Sequence, residues 1–147
     1  RREQELFLKN DTRFVHSGRK DRIPKSLAAL IAETEEKTKE CKNFTLHLAV
    51  DYGGKDEIIR GMKRMIESNE AHAANEATFR SYFDHPELPD IDLIFRTSGE
   101  MRFSNFFLWQ GAYAEWIFTD KYFPDVTTDD LEEAIQTFEE RQRRYGA

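Results

Sequence analysis

Apolar positions along the chain fall into two alternating spacings. Thr12 to Ser17 alternate as a short strand, and Phe44, Leu46, Leu48 and Val50 recur every second residue, which predicts a second strand over 44–50. Leu27, Leu30, Ile31 and Thr34 follow helical spacing to about Glu40, with Pro24 placed as the first helical residue. Gly53-Gly54 breaks the second strand, and Ile58, Ile59, Met62, Met65 and Ile66 then mark one face of a helix. Residues 67–80 are weakly patterned and read as a helical or loop excursion. Pro86 and Pro89 bracket a loop into a buried strand at 91–96, carried by Ile91, Leu93, Ile94 and Phe95. Ser104 is placed to cap an aromatic helix running to about Tyr113, and Trp116 to Phe118 form a further short strand. Thr127 with Asp130 is a capping pair for a helix through Leu131, Ile135 and Phe138, ending at basic Arg141, Arg143 and Arg144.

Strands alternating with helices predict an α/β fold: an open, mostly parallel central sheet with helices on both faces. A length of 147 residues suits a single domain, 1–147, and no repeat or linker interrupts it. The opening RREQELFL reads as the tail of a helix already under way. The expectation is therefore an N-terminally incomplete portion of such a fold.

Composition narrows the function classes. A net charge of −6 argues against non-specific nucleic-acid binding, which needs a basic face. The single cysteine, Cys41, excludes an intrachain disulfide and a cysteine-based zinc site, and is compatible with a reducing, cytoplasmic setting. The four histidines show no ligand spacing. No apolar stretch is long enough to span a bilayer, and no signal-peptide pattern stands at the start. A lipid substrate would be met from the water side, with the protein peripheral to the membrane at most.

The chemistry concentrates where the strand at 91–96 runs out. Open α/β sheets bind ligands at the carboxyl ends of their strands, and helix N-termini favour anions. Arg96 ends the strand, and Glu100, Arg102 and Ser104 follow within eight residues. Two forked guanidiniums, a hydroxyl and free amides make a diphosphate cradle. A pair of surface arginines balanced by Glu100, with Ser104 serving only as a cap, is the competing reading of the same residues.

The string RTSGEMRFSNFFLWQGAYAEWIFTDKYFPD resembles the signature of the cis-prenyltransferases, the undecaprenyl diphosphate synthase family. Weaker matches are TRFVHSGRKDRIP at 12–24, LHLAVDYGGKDEI at 46–58 and RRYGA at 143–147. The resemblance implies condensation of isopentenyl diphosphate with an allylic prenyl diphosphate to give a Z-polyprenyl diphosphate. It implies that Arg96, Arg102 and Ser104 bind isopentenyl diphosphate, and that Glu100 orients the arginines and their loop as the catalytic carboxylate. It also implies that Glu115 helps to hold Mg²⁺ and that the protein is a homodimer. Within that dimer the ending Arg144-Tyr145-Gly146 would reach towards the partner's isopentenyl site. Read without the resemblance, Glu115 is a structural hydrogen-bonding residue and Gly146 a helix-ending glycine. The Asp-Gly-Asn stretch and allylic phosphate loop that open the family pattern have no match here. The chain therefore resembles the C-terminal part only and is expected to be inactive alone. A non-catalytic subunit of a two-component prenyltransferase and an unrelated phosphate-binding module are the alternatives.

Overall fold

The structure is a computed structural model, and it describes residues 2–141. The described residues fall into two compact units, 2–88 and 89–141.

In the first unit α1 (Arg2–Lys9) leads into β1 (Thr12–Ser17). Phe7 stacks on Phe14 at 5.9 Å, and Gln4 donates to Thr34 Oγ1 at 2.7 Å, so α1 is tied both to β1 and to α2 (Lys25–Thr38). Pro24 caps α2 rather than starting it: its carbonyl accepts from Leu27 and Ala28, a bond that needs no N–H from proline itself. β2 (Phe44–Ala49) pairs with β1 in parallel, Thr12 opposite Phe44 and Ser17 opposite Ala49. The other edge of β1 is closed by side chains of α2. Phe14 N donates to Thr38 Oγ1 at 2.9 Å and His16 N to Glu35 Oε1 at 3.0 Å, which satisfies the amides that a sheet edge leaves open.

α3 (Gly54–Glu67) departs from its expected face. Gly54, Glu57, Gly61 and Met65 point inward, whereas Ile59, Met62 and Ile66 are exposed. Glu57 turns the helix: the Tyr52 hydroxyl donates to its carboxylate at 2.5 Å and the Asp84 amide at 3.1 Å, and the residue is 1% exposed. Gly61 lets the Phe83 ring press against the helix, since a Cβ there would lie 3.1 Å from it. A short helix α4 (Glu76–Arg80) follows in the weakly patterned stretch, with Asn75 as its cap.

In the second unit β3 (Leu93–Arg96) pairs with β4 (Glu115–Phe118) in parallel, Leu93 opposite Glu115 and Arg96 opposite Phe118. Side chains alternate across a strand, so Ile94, Arg96, Trp116 and Phe118 share one face while Leu93, Phe95, Glu115 and Ile117 share the other. α5 (Thr128–Glu140) starts in the expected capping box of Thr127 and Asp130. Arg141 caps its end; Arg143, Arg144 and Gly146 lie outside the described residues.

The aromatic helix expected at 104–113 does not form. Ser104, Asn105 and Phe107 have φ of 47°, 63° and 39°, in the left-handed region that an α-helix excludes. The segment is a run of turns that buries Phe107 and brings Gly111 against Ile94. Ser104 is therefore not a helix cap, and among the described residues no helix begins within 97–113. No described helix is long and apolar enough to cross a membrane.

Candidate functional site

Arg96 is the last residue of β3, so its side chain emerges at the carboxyl end of a parallel strand pair. The loop that follows is laced to the exit of β4. Thr119 N donates to Arg96 O at 2.9 Å, Gly99 N to Thr119 O at 2.9 Å and Ser98 N to Lys121 O at 2.8 Å. Ser98 and Gly99 take successive positive φ values of 72° and 65°, which fold the chain back over β4. A Cβ on Gly99 would lie 3.0 Å from Asp120 Oδ1, so glycine meets both the backbone and the space requirement. Lys121 is held in turn by both oxygens of Asp130, at 2.7 and 2.9 Å, which anchors the loop's support to the start of α5. Lys121 and the Thr127 donors hold the Asp130 carboxyl down to about 2.

Within this frame Arg96 Nη1 donates to the Arg102 carbonyl, and Arg102 forms an ion pair with Glu100. The pair is open to solvent, with the Arg102 side chain 65% exposed. Glu100 thus fixes Arg102 while Arg96 fixes the loop backbone at the same residue. Beside them lies an open hollow of about 330 Å³. Arg96, Ser98 and Glu100 supply polar lining, and Phe103, Phe106 and Trp116 supply aromatic lining. Arg102 and Ser104 belong to the same loop but do not line the hollow.

Glu115 is not brought to this place. It starts β4 opposite Leu93, on the other face from Arg96 and three residues back along the ladder, about 10 Å at strand rise. Arg141 donates to its carboxylate at 2.9 Å and to the Trp116 carbonyl at 3.0 Å.

Sequence reasoning passes over Phe103 and reads Trp116 as a core or interface residue, with nothing to choose it as part of a site. Their rings meet edge to face at 4.5 Å, and Trp116 stacks on Phe118 at 5.7 Å. The β3–β4 register puts the Trp116 ring beside Arg96, and that register has no local signal. A second charged cluster was also missed. It lies in the first unit, at the carboxyl end of β1. Arg60 grips Asp84 with both terminal nitrogens, Arg64 Nη2 adds a contact at 3.2 Å, and the Gly18 amide donates to Asp84 at 3.1 Å. Burial works against the Asp84 carboxylate, yet the Arg60 bonds outweigh it and hold its pKa below the usual range.

Comparison with known proteins covers nearly the whole chain. The family described as "Putative undecaprenyl diphosphate synthase" matches residues 1–146. An isoprenyl transferase of Thermotoga maritima is 43% identical over 99% of the chain and 64% of its own length. One from Fusobacterium nucleatum is 40% identical over 98% of the chain and 62% of its own length. The chain therefore spans less than two thirds of these curated relatives. Among solved structures, a probable undecaprenyl diphosphate synthase from Campylobacter jejuni superposes with a TM-score of 0.90 at 37% identity, covering 99% of this chain and 68% of that one. Lavandulyl diphosphate synthase from Lavandula x intermedia, solved with dimethylallyl diphosphate, gives 0.91 at 34% identity, covering 98% of this chain and 64% of that one. Parallel strands with an arginine-bearing loop at a carboxyl end agree with that match, and the chain belongs to the undecaprenyl diphosphate synthase family, the cis-prenyltransferases.

Proposed function

We propose that this chain serves cis-prenyl chain elongation, with the loop 96–104 holding the diphosphate of isopentenyl diphosphate. The observation that carries the reading is Arg96 at the carboxyl end of β3, beside an open hollow and linked to Arg102 through the loop backbone. In the reaction the double bond of isopentenyl diphosphate attacks the first carbon of the allylic diphosphate. A carbon–carbon bond forms, the allylic carbon–oxygen bond breaks, and diphosphate leaves with the electron pair. Loss of a proton from the isopentenyl unit restores a double bond, in the Z configuration. The residues named here bind and orient. Forked guanidiniums meet two phosphate oxygens at once, a fit lysine lacks. Glu100 keeps Arg102 in place, and Ser104 offers a hydroxyl from the same loop. Such placement of fixed charge is a large part of catalysis by electrostatic means.

Mg²⁺ is part of what the family implies. Among the described residues no group of three His, Cys, Asp or Glu is placed to hold a metal. Glu115 faces away from Arg96 and is held by Arg141. These residues alone do not fit the ion, and no step is routed through it. The homodimer, and the part of Gly146 in it, belong to the same proposal; Gly146 lies outside the described residues. That the 147-residue chain needs further residues for activity belongs to the same proposal, supported by its covering 64% and 62% of the length of two curated relatives. The alternative of a non-catalytic subunit gives no reason for Arg96, Glu100, Arg102 and Ser104 to stand together.

Steady-state kinetics of the full-length protein test the reading. Arg96→Ala and Arg102→Ala should each raise KM for isopentenyl diphosphate at least tenfold, about 1.4 kcal/mol of binding, and change KM for the allylic diphosphate little. Unaltered kinetics in both variants would overturn it.

A further inference from the structure

The hollow beside Arg96 has an aromatic side that diphosphate binding leaves unexplained. Trp116 stands opposite Ile94, on the face of the ladder that carries Arg96. Two residues along and one strand across put their Cα atoms about 8 Å apart. Phe103 reaches the same place from the loop and meets Trp116 edge to face at 4.5 Å and 76°. Phe103 is 58% exposed and Phe106 42%. Large rings held open to water are costly, at about 25 cal/mol per Å² of apolar surface. An exposed apolar patch of this kind, edged by the Arg96 guanidinium, suits a ligand with an apolar part and an anionic part. A hollow of about 330 Å³ is in the size class of small-molecule sites.

We infer that the Phe103–Trp116 pair takes the five-carbon isopentenyl group while its diphosphate lies towards Arg96 and Arg102, so that these two rings select an alkenyl diphosphate over bare pyrophosphate. The inference rests on the diphosphate reading of the loop and adds the residues that recognise the hydrocarbon. Isopentenyl diphosphate has one polar end and one apolar end, and the lining of the hollow divides in the same way. Trp116 is steadied by its stack on Phe118 at 5.7 Å while it lines the hollow beside Phe103. A ring fixed in this way offers contact area at little entropic cost on binding.

Calorimetric titration of the full-length protein separates the two ends of the ligand. Isopentenyl diphosphate and inorganic pyrophosphate are titrated in parallel. Phe103→Ala and Trp116→Ala should each weaken isopentenyl diphosphate about tenfold and leave pyrophosphate affinity within about twofold. Trp116→Phe, which keeps a ring, should retain most of the preference. Because Phe103 is largely exposed, its truncation tests the site without opening the core. Arg102→Ala is the control and should weaken both ligands by the same factor. If Arg102→Ala leaves pyrophosphate binding unchanged, the diphosphate reading falls. If Arg102→Ala acts but the aromatic variants shift both ligands equally, or neither, the assignment of the rings is overturned and the diphosphate reading stands.

Discussion

The ends of β1 and β3 are built from the same residue types and reach opposite outcomes. After β1, Asp84 is gripped by Arg60 and Arg64 and by the Gly18 amide, and its side chain is 10% exposed. After β3, Arg102 pairs with Glu100, at 38% exposure. A buried pair has its charges committed to each other, since separating them would leave an ion in low dielectric. An exposed pair is held weakly and exchanges partners with a ligand at little cost. Arginine at the carboxyl end of a parallel strand therefore does not by itself announce an anion site. What distinguishes the two places is how deeply the local carboxylate is buried, and whether open space lies beside the guanidinium.

The largest expected effect tests that contrast directly. Asp84→Ala leaves Arg60 with Asp56 as its remaining partner and the Gly18 amide without its acceptor, and should cost about 2 kcal/mol of stability. Arg102→Ala, at the open end, should change stability by no more than about 0.5 kcal/mol. Urea unfolding of both variants measures the difference. Equal losses would erase the distinction between a structural and a ligand-ready cluster.

A second effect belongs to the closed region alone. His47 Nε2 lies 2.8 Å from Ser17 Oγ, and its ring meets His85 edge to face at 5.2 Å. Burial, then the neighbouring His85 and His16, push its pKa down to about 4 from 6.5, against the opposing pull of Asp84 and Glu87. The folded chain therefore binds fewer protons than the unfolded chain between those two values. The contribution of His47 to stability is fully present above about pH 6.5 and is lost as pH falls towards 4. Allowing for solvent screening, the loss should be about 1 to 2 kcal/mol. His47→Gln should flatten the slope in denaturation midpoints taken across that window. A slope unchanged by the substitution would assign the proton uptake elsewhere.

Much of the framework was legible because its signals are local. The alternation at 12–17 and 44–49 and the Thr127–Asp130 pair each depend on neighbours within one turn or one strand. The inward face of α3 was misread because Glu57 is charged and its partner amide is 27 residues away at Asp84. Periodicity counts such a residue as surface. The stretch 104–113 has helical spacing of aromatics, and backbone conformation decided otherwise. Asn105, which tolerates positive φ better than most residues, was the available warning. Arg96, Glu100 and Arg102 could be named from their order in the sequence. The ring of Trp116 could not, because its place beside Arg96 follows from the pairing of β3 with β4.

The smallest expected effect sharpens the contrast at the open end. Glu100→Gln removes the carboxylate partner of Arg102 while keeping the side chain's length and its amide oxygen. Because the pair is exposed, stability should change by less than about 0.5 kcal/mol. Two consequences then pull apart. The guanidinium is no longer neutralised, so inorganic pyrophosphate should bind about threefold tighter, roughly 0.6 kcal/mol. The guanidinium also loses the group that orients it, so on the proposed function the prenyl-transfer turnover of the full-length protein should fall, as misplacement of a binding group slows a reaction. Calorimetry and single-turnover kinetics on the same protein separate the two. Tighter binding with slower turnover is the signature of an orienting carboxylate. A loss of binding would mean instead that Glu100 builds the anion site in the way that Asp84 builds the closed end of β1.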